Sequence, residues 1–299
     1  MDGGETAWLE DEAFASLRAF EARLATLEPS RLREALTVLV GQLHQVLWIL
    51  RPSHDEFRAV IDFLTETGHY ADARRQEWVL LADALGLSSA IEDINSPRPP
   101  GATPETGAGP FYRADTPRIG IHKSISRDGR GAPMLVTGAV AGLEGEPVGG
   151  ATVEVWQANA EGLYENQEPD RQPEHNLRGR LTADPQGRFR FLSVKPGGYS
   201  LPADGPAGAL LTRLGLPLSR PAHINLRVSA KGYDTLTTHI FDRADPAADR
   251  DAIFGVRPAL LADFVALPSL DGQTTYSLDI NLVLCPAGAA RSMPGRSST

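Results

Sequence analysis

The stretch RPAHINLRVSAKGYDTLTTHIF, residues 220–241, contains two runs of alternating character, AHINLRVS (222–229) and TLTTHIF (235–241), joined across a Lys-Gly pair. Successive side chains of an extended chain point to opposite sides, so His223, Asn225 and Arg227 share one face of the first run. Ile224, Leu226 and Val228 share the other. The apolar face belongs against a second layer. On spacing alone the polar face reads as the solvent side of a surface or edge strand, with a buried polar site as the alternative.

Working outward, MLVTGAV (134–140), ATVEVWQ (151–157), GRFRFLSV (187–194) and YSLDINLVL (276–284) are similar short runs bounded by turn residues, such as DPQG at 184–187. Together they predict a sandwich-like β-domain. The pattern upstream is helical from Trp8 to about Leu87. One apolar stripe carries Phe14, Leu17, Leu24 and Leu27, and the next carries Leu32, Leu36, Leu39, Leu43, Leu47 and Leu50. Pro52 ends the second helix, and Ser53 with Glu56 is the signature of a capping box that opens a third. A fourth is expected over Asp72–Leu85, closed by Gly86. The segment SPRPPGATPETGAGP (96–110) is too rich in proline and glycine for regular structure and reads as a linker or boundary loop. The expected architecture is α+β: a helical region over 1–95, a mostly antiparallel β-sandwich over 96–285, and a disordered tail over 286–299.

The 299 residues carry a net charge of -9 and a pI near 5.3. That acidity argues against a general nucleic-acid or anionic-membrane surface, which needs a basic field. Cys285 is the single cysteine, so no intrachain disulfide is possible. The acidic opening MDGGETAWLEDE lacks the charge pattern of a signal peptide, and no apolar run reaches membrane-spanning length, so a cytoplasmic location is expected.

Two tyrosines follow glycine turns: Tyr164 in EVWQANAEGLYENQ (154–167) and Tyr199 in VKPGGYS (194–200). Either alone reads as a packing residue with a hydrogen-bonded hydroxyl. Two tyrosinates with an imidazole nevertheless suit ferric iron, because anionic oxygen donors stabilise the higher oxidation state.

The blocks VEVWQANAEGLY (153–164), NLRGRLTADPQGRFRFLSVKPGGY (176–199) and RPAHINLRVSAKGYDTLTTHIF, with GPFY at 109–112, resemble in order and spacing the signature blocks of the intradiol ring-cleavage dioxygenases. Within that family, WVLLADALG (78–86), LPADGPAGALL (201–211) and His239 in GYDTLTTHIFDRADP (232–246) are most similar to hydroxyquinol 1,2-dioxygenases; catechol enzymes usually carry glutamine at the position of His239. The resemblance implies Fe(III) held by Tyr164, Tyr199 and His223, and a small aromatic diol and dioxygen as substrates. It implies catalytic roles for Arg220, as the cation beside the diol ring, and for Tyr199, displaced by the diol. It further implies a homodimer formed through the helical region, with an amphipathic phospholipid between the helices. Asn225 departs from the pattern by standing where the family has the second histidine of His-x-His, and its neutral amide is a weaker donor than imidazole. His175 and His239 are not placed on the iron by their spacing. The competing expectations are a prealbumin-like binding module, which GEPVGGATVEVW (145–156) also resembles, and an iron-poor pseudoenzyme of the same fold.

Overall fold

The computed structural model describes residues 12–72, 75–268 and 274–289; the expected helical start at Trp8 and the tail from 290 onward lie outside them. The chain divides into two compact units, residues 1–66 and 67–299. Helices α1 (Ala15–Ala25), α2 (Arg31–Leu50) and α3 (His54–Tyr70) are followed by α4 (Glu77–Ala84) and α5 (Leu87–Asn95).

In the first unit, the Ser30 side chain caps α2 by accepting from the Arg33 backbone N–H at 3.1 Å. The capping box that opens α3 is reciprocal: the Glu56 carboxylate accepts from the Ser53 N–H at 2.8 Å, and Ser53 Oγ accepts from the Glu56 N–H at 3.2 Å. Phe14 lies against Trp48, with ring centroids 5.9 Å apart, and helps hold α1 to α2. Leu39, Leu43, Leu47, Ile49, Phe57, Val60 and Ile61 on α2 and α3 nonetheless remain exposed.

The fourth expected helix begins later than Asp72. The Asp72 side chain accepts the Arg75 N–H at 2.7 Å while its own N–H donates to the Arg75 carbonyl at 2.8 Å, bonds that compete with those of a helix. Gly86, at φ +73°, ends α4 and also serves as the N-cap of α5, a helix the sequence reading did not anticipate.

The second unit is built on two sheets. Its strands are β1 (Pro133–Gly142), β2 (Thr152–Gln157), β3 (Arg178–Thr182), β4 (Arg188–Val194), β5 (Tyr199–Ser200), β6 (Ser219–Arg220), β7 (His223–Ser229), β8 (Leu236–Asp242), β9 (Leu261–Ala262), β10 (Val265–Leu267) and β11 (Thr275–Leu284). One sheet has the order β10-β11-β1-β4 and the other β3-β2-β7-β8-β9. Pairings are antiparallel except β1 with β11 and β8 with β9. The apolar sides of both sheets form one core, with Val136, Phe191 and Ile280 from the first and Val153, Val155, Ile224 and Leu226 from the second. Each such side chain, fully buried, contributes about 1.5–3 kcal/mol.

Strand β7 is central in its sheet, between β2 and β8, and His223 and Asn225 are 3% and 2% exposed. That overturns the reading of an edge or surface strand: the polar side of β7 is covered. Part of the cover is the proline-rich 96–110 segment, tied to the sandwich where Thr103 N–H donates to the Val283 carbonyl at 3.1 Å and Thr106 N–H to the Thr237 carbonyl at 3.0 Å. Among the described residues, no helix is long and apolar enough to cross a membrane.

Candidate active site

The strand ladder gathers the sequence-predicted residues at one end of the sandwich. Gln157, the last residue of β2, pairs with Ile224 near the start of β7, and His223 pairs with Phe241 near the end of β8. The loop carrying Tyr164 leaves β2 at this end. Tyr199 opens β5, whose partner β6 places it directly opposite Arg220.

Backbone packing explains why a glycine precedes each tyrosine. Gly162 has φ +83°, and a Cβ there would lie 2.4 Å from the Gly198 carbonyl oxygen. A Cβ on Gly197 would meet the Ala160 carbonyl at 2.4 Å. The two tyrosine loops thus pass with their main chains almost touching, which any side chain larger than hydrogen would prevent. A second anchor lies under the Tyr164 loop, where the buried Arg178 donates from Nε to Glu165 at 2.7 Å and from Nη1 to the Phe111 carbonyl at 2.6 Å. The Phe111 ring then stacks on Tyr164 at 4.2 Å.

The aromatic centre follows from these supports. Tyr164 and Tyr199 meet edge to face at 6.3 Å between centroids, and Tyr199 and His223 lie 5.7 Å apart. His223 Nδ1 is bonded to the Pro221 carbonyl at 2.8 Å, which makes that nitrogen the N–H donor. Its Nε2 is buried with no protein partner. An orphaned imidazole nitrogen beside two phenols is the donor set a metal would complete.

Charges are fixed around this centre. Arg220 is clamped by Asp251, Nε to Oδ1 at 3.0 Å and Nη2 to Oδ2 at 3.3 Å, and its Nη1 donates to the Tyr199 hydroxyl at 3.2 Å. Burial opposes the guanidinium charge, but Tyr199 and Asp251 outweigh it and hold the pKa above the ordinary value. Burial also pushes His223 down to about 3, with Arg220 adding to the effect, so the ring is neutral. Tyr164 is pushed well above the usual phenol range by burial and by Tyr199, partly offset by the hydrogen bond from Asn225.

Asn225 donates from Nδ2 to the Trp156 carbonyl at 2.8 Å and to the Tyr164 hydroxyl at 3.0 Å. His239, its partner across the ladder, is buried, with its ring 5.1 Å from His223. His175 is elsewhere, against Asp115 at 3.8 Å and Glu174 at 3.7 Å. Those three side chains bring donor atoms within 4.8 Å of one another, and Arg113 hydrogen-bonds both carboxylates and offsets part of their charge.

A family model described as Dioxygenase matches residues 108–286, and one described as Catechol dioxygenase N terminus matches residues 30–103. The chain is 43% identical over 258 residues to a hydroxyquinol 1,2-dioxygenase of Rhizobium sp. (strain MTP-10005), covering 85% of this chain and 88% of the relative. It belongs to the intradiol ring-cleavage dioxygenases. A 6-chlorohydroxyquinol 1,2-dioxygenase of Cupriavidus pinatubonensis is 40% identical over 90% of this chain and 96% of its own length. The solved structure of a hydroxyquinol 1,2-dioxygenase from Pseudomonas putida DLL-E4 superposes with a TM-score of 0.88 at 33% identity, covering 93% of this chain and 99% of the other.

As an intradiol dioxygenase, the chain shows several site neighbours that the sequence reading missed. Asp251, the counter-ion of Arg220, is 31 residues away from it, and no local pattern marks it. Thr106, bonded through Oγ1 to His239 Nδ1, lies in the supposed linker. Arg178 and Glu165 were present in the quoted blocks, but nothing in the RGRLT of β3 marks the buried Arg178 apart from the more open Arg180 two residues on. His239 was noted in the sequence but could not be placed; the Asn225–His239 register puts it in the centre.

Proposed function

We propose that this protein is an Fe(III)-dependent intradiol dioxygenase that cleaves a hydroxyquinol- or catechol-type 1,2-diol with dioxygen to a maleylacetate- or cis,cis-muconate-type product. The observation that carries this reading is the convergence of Tyr164, Tyr199 and the orphaned Nε2 of His223, with Arg220 donating to the Tyr199 hydroxyl. These three side chains would hold the iron. When bound, ferric iron would supply the Lewis acidity that favours the ionised diol and activates its ring towards dioxygen.

The chain's own residues do the rest. Tyr199 is only partly buried while Tyr164 is fully so, and Tyr199 is therefore the phenol able to swing out when the diol arrives. Its freed oxygen accepts a proton from the incoming diol hydroxyl. Arg220 stands on that oxygen and keeps its charge through Asp251, so it stabilises negative charge as the diolate ring ketonises. Burial of His223, Asn225, His239 and Phe241 keeps water from the reacting atoms.

The site residues lie between Thr106 and Asp251, which supports residues 96–285 as the catalytic part. The helices within residues 1–95 would then serve dimerisation, since their exposed apolar faces suit a second copy of the chain, with a phospholipid tail seated among them. Oxygen uptake by iron-loaded protein, supplied in turn with hydroxyquinol and catechol, tests the activity. Cleavage of either with a red-brown tyrosinate colour is expected; colourless protein inert to every aromatic diol would instead support a binding module or pseudoenzyme.

A further inference from the structure

We propose that His239 supplies the imidazole that Asn225 cannot, so that the second histidine donor of this site comes from β8 rather than from the His-x-His position on β7. The inference rests on the ferric-iron reading above.

Asn225 is committed elsewhere. The Trp156 carbonyl can only accept, so the amide edge facing it is the NH2 edge, and the same nitrogen donates to the Tyr164 oxygen. The atom that Asn225 turns to the Tyr164 oxygen is thus its nitrogen, which has no free lone pair to give a metal, and not the amide oxygen that could bind one. Asn225 therefore acts as a positioning residue that holds the Tyr164 oxygen in place and favours its ionised form.

His239 is placed for the vacated role. It lies directly opposite Asn225 in the β7/β8 register, and residues so paired project from the same face with Cβ atoms about 4.5–5.5 Å apart. An imidazole on either residue therefore reaches the same space. The His239 ring meets His223 edge to face at 70° and is buried with it. The two histidines are also held alike. His223 Nδ1 is fixed by the Pro221 carbonyl, and His239 Nδ1 is engaged by Thr106 Oγ1, which leaves Nε2 of each ring for another partner. Fixing one ring nitrogen so that the other can bind is how a protein orients a metal-binding imidazole. The Thr106 hydroxyl is itself steadied, because its backbone N–H is bonded to the Thr237 carbonyl on β8.

The test uses iron content per chain and the tyrosinate-to-iron absorption band for the wild type, His239→Gln, and the double variant Asn225→His/His239→Gln, with circular dichroism confirming the fold. The wild type should be coloured and bind about one iron. His239→Gln should bind iron at least about tenfold more weakly, and the double variant should recover both the iron and the band. If His239→Gln keeps full iron and an unchanged band while only KM for the diol rises, His239 contacts substrate and the proposal is overturned. Should His239→Gln fail to fold, X-ray absorption at the iron edge of the wild type decides instead: two imidazoles support the proposal and a single one overturns it. A wild type that stays colourless with added ferric iron would remove the ferric-iron reading itself, a different result from a coloured protein indifferent to His239.

Discussion

At the scale of single residues, the site concentrates groups whose burial only a partner can justify. His223 Nε2 is buried without a protein partner and the buried Tyr164 hydroxyl accepts from Asn225, so Tyr164→Phe and His223→Ala, which remove those two donor atoms, should each abolish iron retention, as metal analysis of the purified variants would show. Full iron in either would mean the donors are different. Asp251 is 1% exposed and binds Arg220 through both oxygens, so Asp251→Ala strands a buried cation. A loss of about 3–5 kcal/mol in urea unfolding is expected. The iron-free protein carries a pH signature as well. Unfolded His223 takes up a proton near its ordinary pKa of 6.5, whereas the folded ring, lowered to about 3, does not. Between those values the unfolded state binds more protons, so stability falls as pH falls, by about 1.4 kcal/mol per pH unit for each such group. Burial lowers His239 in the same direction, so denaturation of the iron-free protein should steepen below pH 6.5, and His223→Gln should remove only its own share of the slope. An unchanged slope in that variant would show that His223 is not buried neutral.

At the scale of elements, the tyrosine loops depend on glycine backbone as well as on side-chain contacts. Gly162→Ala would place a methyl group 2.4 Å from the Gly198 carbonyl at a φ that L residues avoid. Both effects push the loops apart. Destabilisation of about 1–3 kcal/mol is expected together with weakening of the tyrosinate band, read by thermal unfolding and visible absorption. A fully stable, fully coloured Gly162→Ala protein would contradict that packing. The same elements show what sequence reveals and what it hides. The long strands were legible because alternation reports a half-buried sheet directly, and β7 gave up the shared face of His223 and Asn225. Its central position was not legible, since a polar face towards a site and one towards water alternate identically. Helix α5 escaped because Gly86, read as a stop, is also a start, and Asp72 binds Arg75 at the point where the helical pattern placed the start of a helix. The meeting of Tyr164, Tyr199 and His223 was implied by family resemblance, whereas the Arg220–Asp251 clamp and the Thr106–His239 contact arise from chain segments that only folding brings together.

At the scale of the molecule, the helical unit leaves apolar faces of α2 and α3 open. On α2 and α3, Leu39, Leu43, Ile49, Leu50, Phe57 and Val60 are each more than half exposed, and a cluster of large apolar side chains left to water is the mark of an interaction surface. Burial of apolar surface contributes roughly 25 cal/mol per Å². Association through these helices would therefore be strongly favoured, and a symmetric pair is the simplest assembly in which one self-complementary patch covers itself. We expect the full chain to sediment as a dimer and Leu39→Glu/Leu43→Glu to sediment as a monomer. Placing two carboxylates at the centre of an apolar contact forces each to be desolvated without a partner. Because the site residues lie between Thr106 and Asp251, the monomeric variant should still bind iron and show the tyrosinate band, which separates loss of assembly from loss of the site. Wild-type protein that remains monomeric at high concentration would refute the dimer, and a double variant that is still dimeric would move the interface away from α2.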